Sequence, residues 1–215
     1  VQRSHKIRLS PNNKQKTYFA KACGISRLAF NWGLSEWKVL YESGEKPTSY
    51  DLKKKFNSIK KEQYPFVTEV TKCSPERAFA DLDTSFKRFF KKQSKYPKFK
   101  KKGVNDSFYI SNDKFTVDGD RVRIPKLGRV KMTEPLRYSG KIMSATISRK
   151  ADWWFISITV KIDDTEDKSK NQAFNPVGID FGVSKLATLS DGTVFGNPRV
   201  TRKFSQRLRL LNKSL

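Results

Sequence analysis

Trp154-Phe155-Ile156-Ser157-Ile158-Thr159-Val160-Lys161-Ile162 puts Trp154, Ile156, Ile158, Val160 and Ile162 on one side of an extended chain, with Ser157, Thr159 and Lys161 on the other. A period of two over nine residues is that of a half-buried antiparallel strand. The same period runs back to Ser107: Phe115/Val117, Val122/Ile124 and Val130/Met132 are apolar pairs, divided by turn chemistry at Asp118-Gly119 and Leu127-Gly128. Several short strands joined by tight turns predict a small antiparallel barrel. His5-Lys6-Ile7-Arg8-Leu9 alternates in the same way and is expected to close it. Everything between this strand and Ser107 then becomes an insertion.

That insertion reads as helix. Ser10-Pro11 offers an N-cap followed by proline at the first helical position. Phe30, Leu34, Trp37 and Tyr41 then recur at helical spacing up to Ser43-Gly44, a stripe expected in the core. Thr48-Ser49-Tyr50-Asp51 has the form of a capping box, continued by Leu52, Phe56 and Ile59. A third helix is predicted from Ser74-Pro75, with Phe79, Leu82, Phe86, Phe89 and Phe90 as its apolar stripe. Lys87, Arg88, Lys91, Lys92 and Lys95 gather toward its C-terminal end, where the helix dipole favours cations.

The charge balance narrows the partner. The chain of 215 residues carries 45 lysines and arginines against 21 acidic residues, a formal net charge of +24. Such an excess calls for a polyanion, and nucleic acid is the expected one. A membrane surface competes, but no apolar run approaches the roughly 20 residues of a spanning helix and no signal-peptide pattern opens the chain, so a cytoplasmic protein is expected. Between Lys87 and Lys102 there are nine basic residues and no acidic one, interleaved with Phe89, Phe90, Tyr96 and Phe99. This density predicts phosphate contact, which positions a nucleic acid without reading its sequence. Cys23 and Cys73 lie far apart in helical patterns and are expected to be small buried residues; with His5 as the single histidine they make no zinc site. The opening residue is valine, which suggests a trimmed or partial chain.

Residues 163–176 are polar and locally acidic, and read as a linker. A new unit starts at Val177 with Gly178-Ile179-Asp180-Phe181-Gly182-Val183, then Leu186-Ala187-Thr188-Leu189 and the turn Ser190-Asp191-Gly192. The pattern is a strand and hairpin that lift one carboxylate between two glycines. In a dry strand an unpaired carboxylate costs several kcal/mol unless a metal or donors compensate. Asp180 is thus the candidate metal ligand, with Gly178 and Gly182 leaving room beside it, while Asp191 is expected to serve only the turn. The same Gly-Ile-Asp run opens the phosphate loop of actin-like ATPases, but Phe181-Gly182-Val183 supplies no hydroxyl before Ser184. A last helix is predicted with Phe204, Leu208, Leu211 and Leu215 on one stripe.

In order along the chain, His5 to Pro11, Arg27-Leu28-Ala29-Phe30-Asn31-Trp32, Tyr96-Pro97-Lys98-Phe99-Lys100-Lys101-Lys102, Ile124-Pro125-Lys126-Leu127-Gly128 and Gly178 to Val183 resemble the OrfB/TnpB proteins of insertion sequences, compact RNA-guided nucleases related to type V CRISPR effectors. The resemblance implies an α+β chain: a wedge-type antiparallel β-barrel at 1–10 and 103–162, an inserted helical recognition lobe at 11–102, a linker at 163–176, and at 177–215 the start of a RuvC domain of RNase H-like fold. It implies guide RNA and target DNA as partners, and Mg²⁺ as the cofactor of a completed RuvC site. Asp180 matches the first catalytic, metal-binding carboxylate. Tyr50 and Lys72 fall where relatives read the motif flanking the target, and Glu76 stands where many have glutamine. Lys6, Arg8, Arg27, Lys87, Arg88, Lys91, Lys92, Lys98, Lys100, Lys101 and Lys102 complete the candidate nucleic-acid contacts. The family's later glutamate, second aspartate and cysteine zinc ribbon do not occur in the sequence. A RuvC segment supplied separately or a second copy of the chain would have to complete the site. The alternative is a regulator that binds nucleic acid without cutting it.

Overall fold

In a computed structural model the described residues are 1–162 and 177–213, without the side chain of Thr201. The linker expected at 163–176 and the last position of the C-terminal stripe, Leu215, lie outside them. The chain divides into Val1–Asp167 and Lys168–Leu215, described here in turn.

The first unit is mixed α and β, built on a seven-stranded antiparallel sheet. In chain order its strands are β1 (Gln2–Ser10), β2 (Ser107–Ser111), β3 (Thr116–Asp118), β4 (Arg121–Ile124), β5 (Gly128–Met132), β6 (Lys141–Lys150) and β7 (Trp153–Lys161). Their order across the sheet is β2-β6-β7-β1-β5-β4-β3. The N-terminal strand therefore does not fasten an outer edge. It lies inside the sheet, paired with β7 from Gln2 opposite Lys161 to Leu9 opposite Trp154, and with β5 only at Leu9 and Ser10. The expected closure is not found among the described residues: β2 and β3 end the sheet on opposite sides. The physical reason is strand length, since β3 and β4 have three and four residues against nine in β7 and give little edge to zip shut.

Alternation decides the two faces. Ile7, Leu9, Val122, Ile124, Val130, Met132, Ile147, Trp154, Ile156, Ile158 and Val160 are buried on one side. The turns follow the sequence reading, with Gly119 and Gly128 at φ +54° and +89°. Gly140, just before β6, is held more tightly: its φ is +139° and a Cβ there would stand 2.4 Å from the Lys161 carbonyl oxygen. Gly140→Ala is expected to cost about 3 kcal/mol, from backbone strain plus displacement of the β6–β7 pairing. A urea midpoint within error of wild type would contradict this.

Three helices lie between β1 and β2: α1 (Asn13–Glu42), α2 (Ser49–Gln63) and α3 (Cys73–Phe90). The first starts two residues later than Ser10-Pro11 suggests. Asn12 is its N-cap, accepting from the Gln15 amide at 2.9 Å while the Gln15 side chain accepts from the Asn12 amide at 3.0 Å. This reciprocal pair satisfies two amides that proline at N1 cannot. Gln15 also donates through Nε2 to the Arg129 carbonyl, tying the helix start to β5. At α2, Thr48 accepts from the Asp51 amide at 3.2 Å.

Helix and sheet share one core. Phe19, fully buried on α1, sits with its ring centre 5.1 Å from that of Trp154 and 6.0 Å from that of Phe108. Tyr18 donates to the Pro125 carbonyl and accepts from the Thr71 amide, both at 2.9 Å, and burial pushes its hydroxyl pKa up. Buried Ser74 donates to the Ala22 carbonyl at 2.6 Å. Gly33 lets α1 and α3 approach closely: a Cβ there would be 3.0 Å from Leu82 and 3.1 Å from Phe79. Of the expected stripes, Phe30, Leu34, Leu52, Phe56, Phe79, Leu82 and Phe86 are buried, whereas Tyr41 and Phe90, at the helix ends, are exposed. Cys23 and Cys73 are free and buried, and burial pushes the Cys23 thiol up to about 12.

The second unit is a three-stranded antiparallel meander, β8 (Ile179–Phe181), β9 (Lys185–Leu189) and β10 (Val194–Gly196), followed by α4 (Val200–Lys213). The expected hairpin is present, with Asp180 opposite Thr188. Ala187 is buried, but Ile179 and Phe181 are 56% and 75% exposed, and Phe204 and Leu208 on α4 are also exposed.

Candidate nucleic-acid interface

The polar face of the sheet follows from register. Neighbours along a strand point to opposite faces while residues in register share one, so Arg8 lines up with Phe155 and Lys6 with Ser157 on the face away from the buried residues of β1 and β7. On the other side of β1, Ser10 lines up with Lys131, Lys131 with Arg121, and Arg129 with Arg123. Six cations, Lys6, Arg8, Arg121, Arg123, Arg129 and Lys131, therefore share this face and are all exposed. Two of them are held over aromatic rings, Lys6 over Phe155 and Arg8 over Trp153, each at 4.7 Å from the ring centre. Trp153 is itself 56% exposed. Cations fixed over half-exposed rings offer phosphate contacts beside stacking surfaces.

The sequence reading found Lys6 and Arg8 on this face but missed the four from β4 and β5. Their signal was present: Arg121-Val122-Arg123-Ile124 and Arg129-Val130-Lys131-Met132 alternate base with apolar residue. The apolar half of that alternation marks the core, and the other half marks a basic ridge.

The basic run Lys87–Lys102 begins on the last turn of α3 and continues without regular structure. Lys87 pairs with Asp83 one turn earlier at 2.7 Å. Arg88, Lys91, Lys92, Lys98, Lys101 and Lys102 are exposed. Aromatic packing holds the run in place: Tyr96 meets Phe86 and Phe89 edge-on at 5.7 and 5.3 Å, and Phe86 stacks on Trp37 at 4.1 Å. Asn31 clamps Lys100, donating to its carbonyl at 3.0 Å and accepting from its amide at 2.7 Å. The Lys100 ammonium lies 4.2 Å from the centre of the Phe30 ring. Although the residue as a whole is exposed, this partial desolvation lowers its pKa.

Arg27 stands apart from these cations. Its Nη1 donates to Asp106 Oδ1 at 3.0 Å with both side chains largely buried, and Asp106 Oδ2 accepts from the Gly103 amide at 3.1 Å. The pair ties α1 to the segment before β2, which accounts for arginine there without a ligand. Tyr50 and Lys72 are both exposed, at the N-terminal ends of α2 and α3. The Lys53–Glu76 ion pair, at 3.6 Å, joins those ends, so Glu76 serves an interhelical contact.

Asp180 is exposed, which corrects the expectation of a carboxylate in a dry strand. The two glycines beside it also have a local cause: a Cβ on Gly182 would meet the Lys185 carbonyl oxygen at 3.0 Å, and one on Gly178 the Ser190 side chain at 3.5 Å. Asp191 accepts from the Thr193 amide at 2.9 Å, a bond that lowers its pKa, and serves the turn. Among the described residues no three His, Cys, Asp or Glu side chains gather as a metal site. One carboxylate by itself does not hold a Mg²⁺ ion, so Asp180 would need further ligands. No helix among the described residues is long and apolar enough to cross a membrane.

Comparison with known proteins agrees with this basic chain. Residues 1–46 match a family described as a helix-turn-helix domain, that of the OrfB proteins of IS605 type. Here the matched residues form one strand and one long helix, with Gly24 lying inside α1 and not breaking it. The chain is 31% identical over 215 residues to "Putative RNA-guided DNA endonuclease InsQ" of Escherichia coli (strain K12), covering 98% of the chain and 52% of that protein. It is 29% identical to a "Putative RNA-guided DNA endonuclease" of Streptomyces pristinaespiralis, covering 97% of the chain and 53% of that protein. "Putative RNA-guided DNA endonuclease Rv2885c" of Mycobacterium tuberculosis is 26% identical over 243 residues. The chain spans about half the length of the curated relatives it matches. Over nearly its whole length this chain is thus similar to proteins named as RNA-guided DNA endonucleases, and residues 1–46 match the OrfB helix-turn-helix family.

Proposed function

We propose that this chain is the nucleic-acid-gripping part of an RNA-guided DNA endonuclease. Its first unit, a wedge and a recognition lobe, holds a guide RNA and the target DNA paired with it. In such an arrangement base pairing reads the sequence and the protein reads backbone geometry and a short flanking motif. The basic sheet face and the run Lys87–Lys102 take the backbone, while Tyr50 and Lys72 face the flanking motif. Asp180 supplies the first carboxylate of a RuvC-type Mg²⁺ site whose other ligands come from a further RuvC segment or a second copy. Such a protein works in the cytoplasm, at the nucleoid. The observation that carries this reading is the six exposed cations in register on one sheet face, two of them over aromatic rings.

The test is a binding comparison. The purified chain is expected to bind the structured RNA transcribed beside its own gene more tightly than random RNA of equal length, measured by fluorescence anisotropy at 150 mM salt. Equal affinity for the two would remove the guide-RNA reading.

A second reading, a regulator that occupies nucleic acid without cutting, is supported by one observation: Asp180 is exposed. Adding a RuvC segment in trans separates the two. Mg²⁺-dependent cleavage that disappears in Asp180→Ala supports the nuclease; unchanged binding without cleavage supports the regulator.

A further inference from the structure

Where the helices meet the β2–β6 edge of the sheet there is a cleft of about 340 Å³, within the roughly 300–1,000 Å³ of small-ligand pockets. One wall is cationic. Lys100 lines it from the segment clamped by Asn31, and the Arg77 guanidinium of α3 lies over the Tyr109 ring, 5.0 Å from its centre. Asp81 also lines the cleft and takes Arg77 Nε at 2.9 Å. Two cations against one carboxylate leave a net positive site.

Hydroxyls from the sheet line it as well. Ser107 on β2 and Ser144 and Thr146 on β6 line the cleft, with Thr146 opposite Tyr109 in the ladder. Among the described residues none of these three hydroxyls has a side-chain hydrogen-bond partner. A bulge between Ile142 and Ser144 shifts the register of β6 at this point, a device that re-aims side chains beside binding sites. A bare phosphate needs donors only. Hydroxyls that both donate and accept match a group that does the same, and the 2′-hydroxyl of ribose is that group.

We propose that this cleft seats one phosphodiester of an RNA strand together with its ribose, the phosphate against Lys100 and Arg77 and the 2′-hydroxyl against Ser144 and Thr146. The inference rests on the reading that the first unit binds RNA. An anion seated beside Lys100 would also offset the burial that lowers its pKa.

Two variants of the full chain test it, with a single-stranded RNA and the DNA of the same sequence as probes. Lys100→Gln is expected to reduce the slope of log affinity against log salt by about 0.7, one phosphate contact. The double variant Ser144→Ala/Thr146→Val is expected to weaken RNA binding about fivefold and leave DNA binding unchanged, on the scale of one or two lost hydrogen bonds. Equal losses for RNA and DNA, or no loss for either, would overturn the ribose assignment. Ribose 5-phosphate observed by ¹⁵N-¹H NMR separates this inference from the wider function. Shifts of the Tyr109 and Thr146 amides that vanish in Lys100→Gln support the cleft even where guide and random RNA bind alike. Unmoved amides in a chain that still binds its guide RNA overturn the cleft and leave the function standing.

Discussion

Replacing Lys98, Lys100, Lys101 and Lys102 together by alanine is expected to weaken single-stranded nucleic-acid binding by several hundredfold at 0.1 M salt. Each phosphate contact on a single strand contributes about 0.7 to the salt slope, which at that concentration is about fivefold in affinity, and four such contacts multiply. The slope itself should fall by about three units. All four lysines are exposed, and Asn31 clamps the backbone of Lys100, so the loss reads out charge more than fold. An affinity ladder between 50 and 200 mM salt makes the measurement, with circular dichroism to check helix content. An unchanged slope would show that these cations face only solvent.

Phe19→Ala is expected to be the most damaging truncation in the core, lowering stability by about 3–5 kcal/mol. The ring is fully buried at the joint of α1 with the sheet, between Trp154 on β7 and Phe108 on β2. Residues from three elements cannot collapse together to refill the space, so the cavity cost adds to the lost transfer energy. Urea unfolding followed by tryptophan fluorescence measures it, since Trp154 reports the same joint. A loss under about 1 kcal/mol would mean that helices and sheet do not depend on one core.

Both experiments address the same architectural fact. The sheet buries one face against α1 and leaves the other exposed and basic, while the basic run is anchored by aromatic packing onto α1 and α3. Binding surface and core are two sides of the same strands. A substitution that shifts register by one residue would exchange them, because side chains alternate with a period of two.

Much of this was legible from residue order. The strand Trp154–Ile162 is buried on the predicted side at all five apolar positions, and the turns at Gly119 and Gly128 lie where turn chemistry placed them. The insertion of the helices between the first strand and the rest also follows the sequence reading. Three things were not legible. Nothing local distinguishes a strand that closes a barrel from one that lies inside a sheet, and β1 is the second. The role of Arg27 required its partner Asp106, 79 residues away. The environment of Asp180 depends on what covers its strand, and the exposure of Ile179 and Phe181 on either side leaves it in solvent.

Local chemistry alone, then, determined which residues form strands and helices, which side of each is apolar, and that the chain carries a large excess of positive charge. Those properties depend on side-chain spacing and on net charge, both carried by neighbours in the chain. Only the tertiary structure decided which cations share a face, which are engaged in internal ion pairs, and which hydroxyls line a cleft with Lys100. These are contacts between residues distant in sequence, fixed by strand order and by the packing of α1 across the sheet, and no local pattern encodes them.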